Sequence, residues 1–442
     1  MRKISFITAL LTVGVIASAE DHFIHSFKKI QLTDQFWCEG ATFGDFNHDG
    51  KGDVVAGPYW WEGPDFKKRH EYYPAKQTFK RKTQDGAEET VPGFEGALGV
   101  NNAYSDNFFA FAQDFNKDGW DDILIYGFPG KDASWYENPK GSEGSWKRHK
   151  VVDIVDNESP AWGDITGDGK NEVICNSEGY YGYAEPNWSD PAQPWKFTPI
   201  SPKKGWQRFT HGLGYGDVNG DGKMDLLEKD GWWENNGMSE WKQHKMPFAA
   251  AYGSAQMYAY DINGDGLNDV ITSLAAHGYG LAWYEQLKER DENGEIRFTQ
   301  HNILNPQTNP KAPPANNKYG LRFAQLHAID LIDMDGDGLK DIVTGKRFWA
   351  HGSKGDAEPN EPAVLYWFKM SRGADKSVEF IPYKIDDDSG IGTQVVAGDV
   401  NGDKLPDIVV GNKKGVFVFL HSKKKVSQQE WEKAQPKLAA AN

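Results

Sequence analysis

A nine-residue pattern that recurs seven times constrains the fold of this 442-residue chain more than any other feature. Its clearest copy, Asp333 to Asp341, reads Asp-Met-Asp-Gly-Asp-Gly-Leu-Lys-Asp and passes directly into Ile342-Val343. Side-chain oxygens at positions 1, 3, 5 and 9, with Gly at the sharp turn of position 6, can converge on a hard divalent cation, and that is calcium chemistry. The first four sets are Asp45, Asn47, Asp49 and Asp53; Asp114, Asn116, Asp118 and Asp122; Asp164, Thr166, Asp168 and Glu172; and Asp217, Asn219, Asp221 and Asp225. The other three are Asp261, Asn263, Asp265 and Asp269; Asp333, Asp335, Asp337 and Asp341; and Asp399, Asn401, Asp403 and Asp407. The EF-hand pattern requires Glu at position 12, and only the Asp217 copy has it, at Glu228. These are therefore short loops closed by their ninth residue, able to hold up to seven structural calcium ions. The Asp164 copy, with Thr166 and Glu172, and the Asp399 copy, with Lys404 where Gly is preferred, are expected to bind weakest.

Each loop has the same surroundings. A Gly/Ala-rich apolar strand leads in, a Val/Ile/Leu strand leads out, and an aromatic strand follows a turn, as at Tyr59-Trp60-Trp61, Trp135-Tyr136, Trp232-Trp233 and Trp283-Tyr284. A fourth strand follows six of these, beginning near Phe66, Trp146, Trp195, Trp241, Phe298 and Phe380. The seventh is missing after Val416 to Leu420, while a matching segment, Phe27 to Leu32, stands ahead of the first loop. The whole pattern resembles the FG-GAP/VCBS repeat family, whose calcium loops join the first two strands of propeller blades, as in the heads of integrin alpha chains. That resemblance covers nearly all of residues 20–422 and implies an all-β, seven-bladed β-propeller of four-stranded blades. The strand at 27–32 is expected to complete the last blade and close the ring, which removes an exposed sheet edge. Because the family includes adhesion proteins, lectins and enzymes, the resemblance speaks to fold rather than activity.

Arg2 and Lys3 precede the apolar segment Ile4 to Ile16, and Ala17-Ser18-Ala19 supplies small residues, so residues 1–19 read as a signal peptide for export to the periplasm or the exterior. No later apolar stretch is long enough to span a bilayer. Residues 423–442 read as a polar, helix-prone tail. Cys38 and Cys175 are the only cysteines and lie in different repeats, which excludes a disulfide framework. The formal net charge is -15, and the seven loops alone place 22 acidic side chains at their ligand positions. Acidity here is a metal-binding feature, and no nucleic-acid partner is expected.

If the calcium loops all follow first strands, they lie on one side of the disc, and the starts of those strands lie on the other. The residues at those starts are Glu39, Asn107, Glu158, His211, Gln256, His327 and Gln394. Turns between second and third strands share that side and add Lys131, Tyr181, His277, Lys346, Arg347, Trp349, His351, Lys413 and Lys414. His211, His277, His327 and Glu158 come from neighbouring repeats and could hold one transition metal with open positions. Arg347 joins them as a catalytic candidate. Lys131, Tyr181, Gln256, Trp349 and His351 are the substrate-binding candidates, since cations beside aromatic rings suit a carbohydrate. A fainter resemblance, to the propeller part of aldos-2-ulose dehydratases and to calcium-binding polysaccharide lyase propellers, implies metal-assisted elimination on sugars. A carbohydrate-active protein, specifically a metal-dependent sugar lyase or dehydratase, is the leading expectation; a non-catalytic propeller that binds glycans or proteins is the alternative.

Overall fold

The computed structural model describes residues 21–75, 78–83, 85–92, 104–250, 253–306 and 318–439. The segment expected to be a signal peptide, 1–19, lies outside them. The regular structure of the described residues is almost entirely β-strand. Strand β1 spans His22–Thr33, and β2 to β5 span Ala41–Gly44, Asp53–Ala56, Tyr59–Trp61 and Arg69–Glu71. A hairpin of β6, Thr78–Lys82, and β7, Glu88–Pro92, stands apart from the larger sheets. Next come β8 (Phe109–Gln113), β9 (Asp122–Tyr126), β10 (Lys131–Glu137) and the long β11 (Lys147–Gly163), then β12 (Glu172–Ser177), β13 (Tyr180–Glu185) and β14 (Lys196–Pro199). The following set is β15 (Leu213–Gly216), β16 (Asp225–Glu228), β17 (Gly231–Glu234) and β18 (Lys242–Lys245), continued by β19 (Gln256–Tyr260), β20 (Asp269–Ser273), β21 (Leu281–Arg290) and β22 (Ile296–Leu304). The last strands are β23 (Ile329–Ile332), β24 (Asp341–Gly345), β25 (Leu365–Arg372), β26 (Val378–Asp386), β27 (Val395–Gly398), β28 (Asp407–Asn412) and β29 (Gly415–Val426), ahead of helix α1 (Gln428–Ala434).

Pairing is antiparallel and mostly between sequence neighbours. Three sheets are plain four-stranded units, β2 to β5, β23 to β26, and β27-β28-β29-β1. In the third of these the N-terminal strand lies against the C-terminal one, with Phe27 opposite His421 and Gln31 opposite Phe417. The longer sheets are pairs of four-stranded runs that share an edge. Residues 147–155 of β11 pair with β10, and residues 156–163 of the same strand pair with β12. Strands β15 and β19 meet side by side in parallel, Gly214 opposite Met257. Gly214 has no room for a side chain there, because a Cβ would fall 1.8 Å from the Met257 carbonyl. One boundary expected from sequence moves: β29 continues through Val426, so residues 423–426 are strand rather than tail. The hydroxyl of Ser427 then caps α1 in a reciprocal capping box with Glu430.

The ninth residue of each nine-residue loop opens the next strand and is buried. Its carboxylate accepts the backbone N–H of loop position 2, as from Phe46 to Asp53 at 2.9 Å and from Ile262 to Asp269 at 2.9 Å. In six of the seven loops its other oxygen accepts an N–H in or just past the third strand, among them Gly63 to Asp53 and Asn138 to Asp122, both at 2.8 Å. The acid thus staples loop to sheet through amides that would otherwise be buried without partners.

The aromatic strands pack between sheets, and in four of them a histidine of the fourth strand lies flat on the tryptophan. The pairs are Trp60–His70, Trp135–His149, Trp232–His244 and Trp283–His301, with ring centroids 4.0, 4.4, 4.1 and 4.4 Å apart. Each of these imidazoles also bonds the glutamate two residues past its tryptophan, at 2.7 to 2.8 Å. Four of the twelve histidines are therefore structural, which throws the remaining ones into relief. Cys38 and Cys175 are free and fully buried, and burial raises both thiols far above their usual range. Neither is expected to react with Ellman's reagent in the native protein, and both should react once the chain is unfolded in guanidinium.

Candidate functional site

His211 and His327 each stand two residues ahead of a first strand, β15 and β23, while Asp217 and Asp333 follow those strands. The strands therefore separate the imidazoles from the loops. His277 comes from the turn between β20 and β21, and Glu158 from the bend in β11 where its pairing passes from one neighbour to the next. Gly212 makes the turn that aims His211. It has φ +83°, and a Cβ there would lie 2.4 Å from Ser254 Oγ.

These residues converge. His211 Nε2 lies 3.0 Å from His277 Nε2 and 3.2 Å from His327 Nε2. Glu158 Oε2 is 3.2 Å from His327 Nε2 and 3.5 Å from His211 Nε2. Arg347 Nη1 lies 3.1 Å from Glu158 Oε2 and 2.8 Å from His327 Nε2, while its Nε donates to Glu39 Oε2 at 3.2 Å. Burial pushes the Glu158 carboxyl up, but hydrogen bonds from His211 and His327 and the charge of Arg347 outweigh it and hold the group well below the usual carboxylate range. Burial, then the Arg347 charge, draws the fully enclosed His327 down to about 3. Glu158 is thus a carboxylate and His327 a neutral base.

The ring nitrogens face one another at the centre of the group. His211 Nδ1 donates to the Phe209 carbonyl at 2.8 Å, which turns Nε2 toward the other rings. His327 Nε2 lies 2.8 Å from Arg347 Nη1, whose N–H it accepts, and 3.2 Å from His211 Nε2. Glu158, His211, His277 and His327 could together hold a metal ion, which would take the His327 lone pair in place of the Arg347 hydrogen bond. Nitrogens bound to one divalent transition ion at 2.0–2.1 Å stand about 3.0–3.4 Å apart, which is the spacing seen. Asp356 stands outside this group, its Oδ1 3.5 Å from His277 Nδ1 and 2.8 Å from His351 Nδ1.

Glu158, His211, His277 and Arg347 line a cavity of about 650 Å³, together with the rings of Tyr104, Phe108, Phe128, Trp206 and Phe209 and with Lys229 and His351; the fully buried His327 lies outside this lining. Of the substrate-binding candidates only His351 lines this space. Tyr181 is fully buried, packed on Trp206 with ring centroids 4.4 Å apart, so it cannot meet a ligand. Gln256 spends its amide as a clasp, donating to the Thr393 carbonyl at 3.0 Å and accepting from Ile329 N–H at 2.9 Å. Lys131 is exposed at the start of β10 and outside the cavity lining. Trp349 turns its indole N–H to Asn360 at 3.0 Å and is likewise outside the lining. Lys346 and Lys413 are also taken out of play: both are buried and donate to backbone carbonyls, Glu361 at 3.1 Å and Trp349 at 2.7 Å.

Glu39 shares the strand-start position of Glu158 and His211, and that equivalence is the signal in the sequence for its role as second partner of Arg347. The aromatic wall has no such signal, since Trp206 and Phe209 sit in a stretch without strand periodicity.

In the loops, Asp164, Asp168 and Glu172 bring carboxylate oxygens within 4.8 Å of one another, as do Asp333, Asp335 and Asp341. Oxygens on opposite sides of a calcium ion at 2.3–2.6 Å stand about 5 Å apart, so both groups fit that ion. In the second loop the Lys369 ammonium also contacts Asp335 and Asp337.

The FG-GAP-like repeat family matches residues 114–175 and 333–410. None of the curated proteins matches the sequence. Among solved structures, an auxiliary nutrient binding protein from Bacteroides ovatus ATCC 8483 is similar at 9% identity, over 91% of this chain and 99% of that one, with a TM-score of 0.42.

Proposed function

For this chain of FG-GAP-like repeats, we propose an exported, calcium-loaded β-propeller of seven four-stranded blades, closed by β1, that acts on carbohydrate through a transition metal held by His211, His277 and His327. The observation that carries the reading is the meeting of three imidazoles, beside a buried carboxylate and guanidinium, next to a cavity. The reaction class is elimination on a sugar, as a lyase or dehydratase performs it. A divalent ion at the centre supplies Lewis acidity toward a carbonyl or carboxylate oxygen. Arg347 keeps the Glu158 charge in place, and Asp356 holds His351 by Nδ1, which leaves His351 Nε2 to take a proton from the carbon next to that carbonyl or carboxylate. The C–H electrons form the new C=C bond as the C–O bond at the following carbon breaks, and its oxygen leaves as water or an alcohol with a proton from solvent.

The experiment is metal analysis after exhaustive dialysis against calcium. The parent protein is expected to keep about one equivalent of zinc, manganese or iron, and His211→Ala and His327→Ala to lose it with calcium content unchanged. Keto- or uronate sugars should then give an ultraviolet-absorbing product with the parent protein alone. No retained transition metal and no such product would leave the alternative, a propeller that binds glycans or proteins without turning them over.

A further inference from the structure

The cavity divides its chemistry. Its buried ionisable groups, Glu158, His211, His277 and Arg347, gather together, and aromatic rings line much of the rest, with Lys229 and His351 beside them. Phe209 is 40% exposed, one of three large apolar side chains so placed among the described residues, and it stands at this cavity. Its ring meets Phe128 edge-on with centroids 5.6 Å apart, and Phe128 meets Phe108 in the same way at 5.3 Å, so the wall is continuous. Trp206 is held from behind by Tyr181 and Trp233.

Both Trp206 and Phe209 belong to a strap, residues 203–210, that carries no strand yet is fixed by backbone bonds. Asn157 N–H donates to Arg208 O at 2.9 Å, Glu158 N–H to Thr210 O at 2.8 Å, and Lys204 N–H to Gly179 O at 2.9 Å. The carbonyl of Phe209 itself accepts the Nδ1 hydrogen of His211. The residue that sets the tautomer of a floor imidazole therefore also presents the ring above it. Floor and wall are in register.

We propose that Phe209 and Trp206 are the specificity-determining platform of this cavity, and that its ligand is a compact single-ring molecule that offers two chelating oxygens at one end. The ring lies against the aromatic wall and the oxygens reach the metal on the side of His211 and His277. This rests on the metal reading above and adds the shape of what that metal meets. About 650 Å³ takes one such ring with its substituents, whereas an extended chain would need a groove open at both ends.

The test uses two metal-directed probes on zinc-loaded protein, acetohydroxamate and benzohydroxamate, with affinities from calorimetry and zinc content measured in parallel. Benzohydroxamate is expected to bind about tenfold tighter, the size of one well-placed ring contact. Phe209→Leu should remove most of that gain while acetohydroxamate stays within about twofold and zinc is retained; Trp206→Leu, with folding checked by circular dichroism, is the second variant. Equal affinity of the two probes for the parent protein overturns the platform, as does a benzohydroxamate preference that survives both substitutions. Zinc retained with neither probe bound overturns it as well. Loss of zinc from the parent protein is the separate failure of the metal reading, and the platform falls with it.

Discussion

Asp269→Ala is expected to lower the free energy of unfolding by about 3–5 kcal/mol, in the absence of calcium as much as in its presence. Asp269 is fully buried, with one oxygen accepting Ile262 N–H at 2.9 Å and the other Gln286 N–H at 2.8 Å. Alanine leaves two enclosed amides without acceptors, each worth about 1–3 kcal/mol. It also loosens Gln286, whose side-chain amide donates to the Val218 and Asn268 carbonyls at 2.8 and 2.7 Å and so ties one sheet to the next. Asp261→Ala is the comparison. That carboxylate also accepts amides, from Gly264, Asp265 and Gly266, but those of the two glycines face solvent and water replaces the lost acceptor. Its cost in EGTA should be about 1 kcal/mol, with a larger loss appearing only when calcium is added to the parent protein. Urea unfolding of the three proteins with EGTA and with calcium separates the cases. A cost below about 1 kcal/mol for Asp269→Ala in EGTA would show that the ninth position acts through the ion and not as a staple.

That distinction marks where reading from sequence stops. The spacing of acids identified the loops, because a sharp turn between two short strands allows few solutions and the pattern repeats. It could not say that the ninth acid spends its oxygens on amides, since the acceptor geometry depends on a third strand ten or more residues away. The pairing of residues 27–32 with 416–421 was legible for a different reason: one repeat lacked a strand and one strand lacked a repeat. The imidazole cluster was legible from position, as strand starts and second-to-third turns share one side of every sheet.

Tyr181 shows the limit of the same reasoning. A turn residue and the first inward-facing residue of the next strand are neighbours in sequence, and only the register, Tyr181 opposite Asn176, settles that it points into the core. Gln256 and Gln394 sit at strand starts like the histidines, yet their amides clasp adjacent first strands, Gln394 donating to Ala110 O at 2.9 Å and accepting its N–H at 3.0 Å. A glutamine offers a donor and an acceptor at once and suits a backbone clasp, whereas an imidazole offers one lone pair and suits a cation. Side-chain chemistry at equivalent positions thus sorts ring-building from site-building residues.

The same sorting makes Arg347 the most consequential residue at the floor of the cavity. Its guanidinium is 2% exposed and lies between two carboxylates, Glu158 and Glu39, which are buried too. Burial opposes its charge, but Glu39 and then Glu158 more than offset that and push its proton affinity higher still. Arg347→Met keeps the volume and removes the charge, leaving two carboxylates enclosed without a counterion; breaking a buried pair in this way costs about 3–5 kcal/mol. The expected readout is a fall of several degrees in melting temperature together with loss of transition-metal retention, because Glu158 is then free to swing from His327. Adding Glu39→Gln to Arg347→Met removes one of the orphaned charges and should recover a good part of the stability. It should not restore anything that depends on Glu158 being held. If Arg347→Met melts within a degree of the parent, the two glutamates are not the charged partners that the geometry makes them, and the electrostatic account of the floor is wrong.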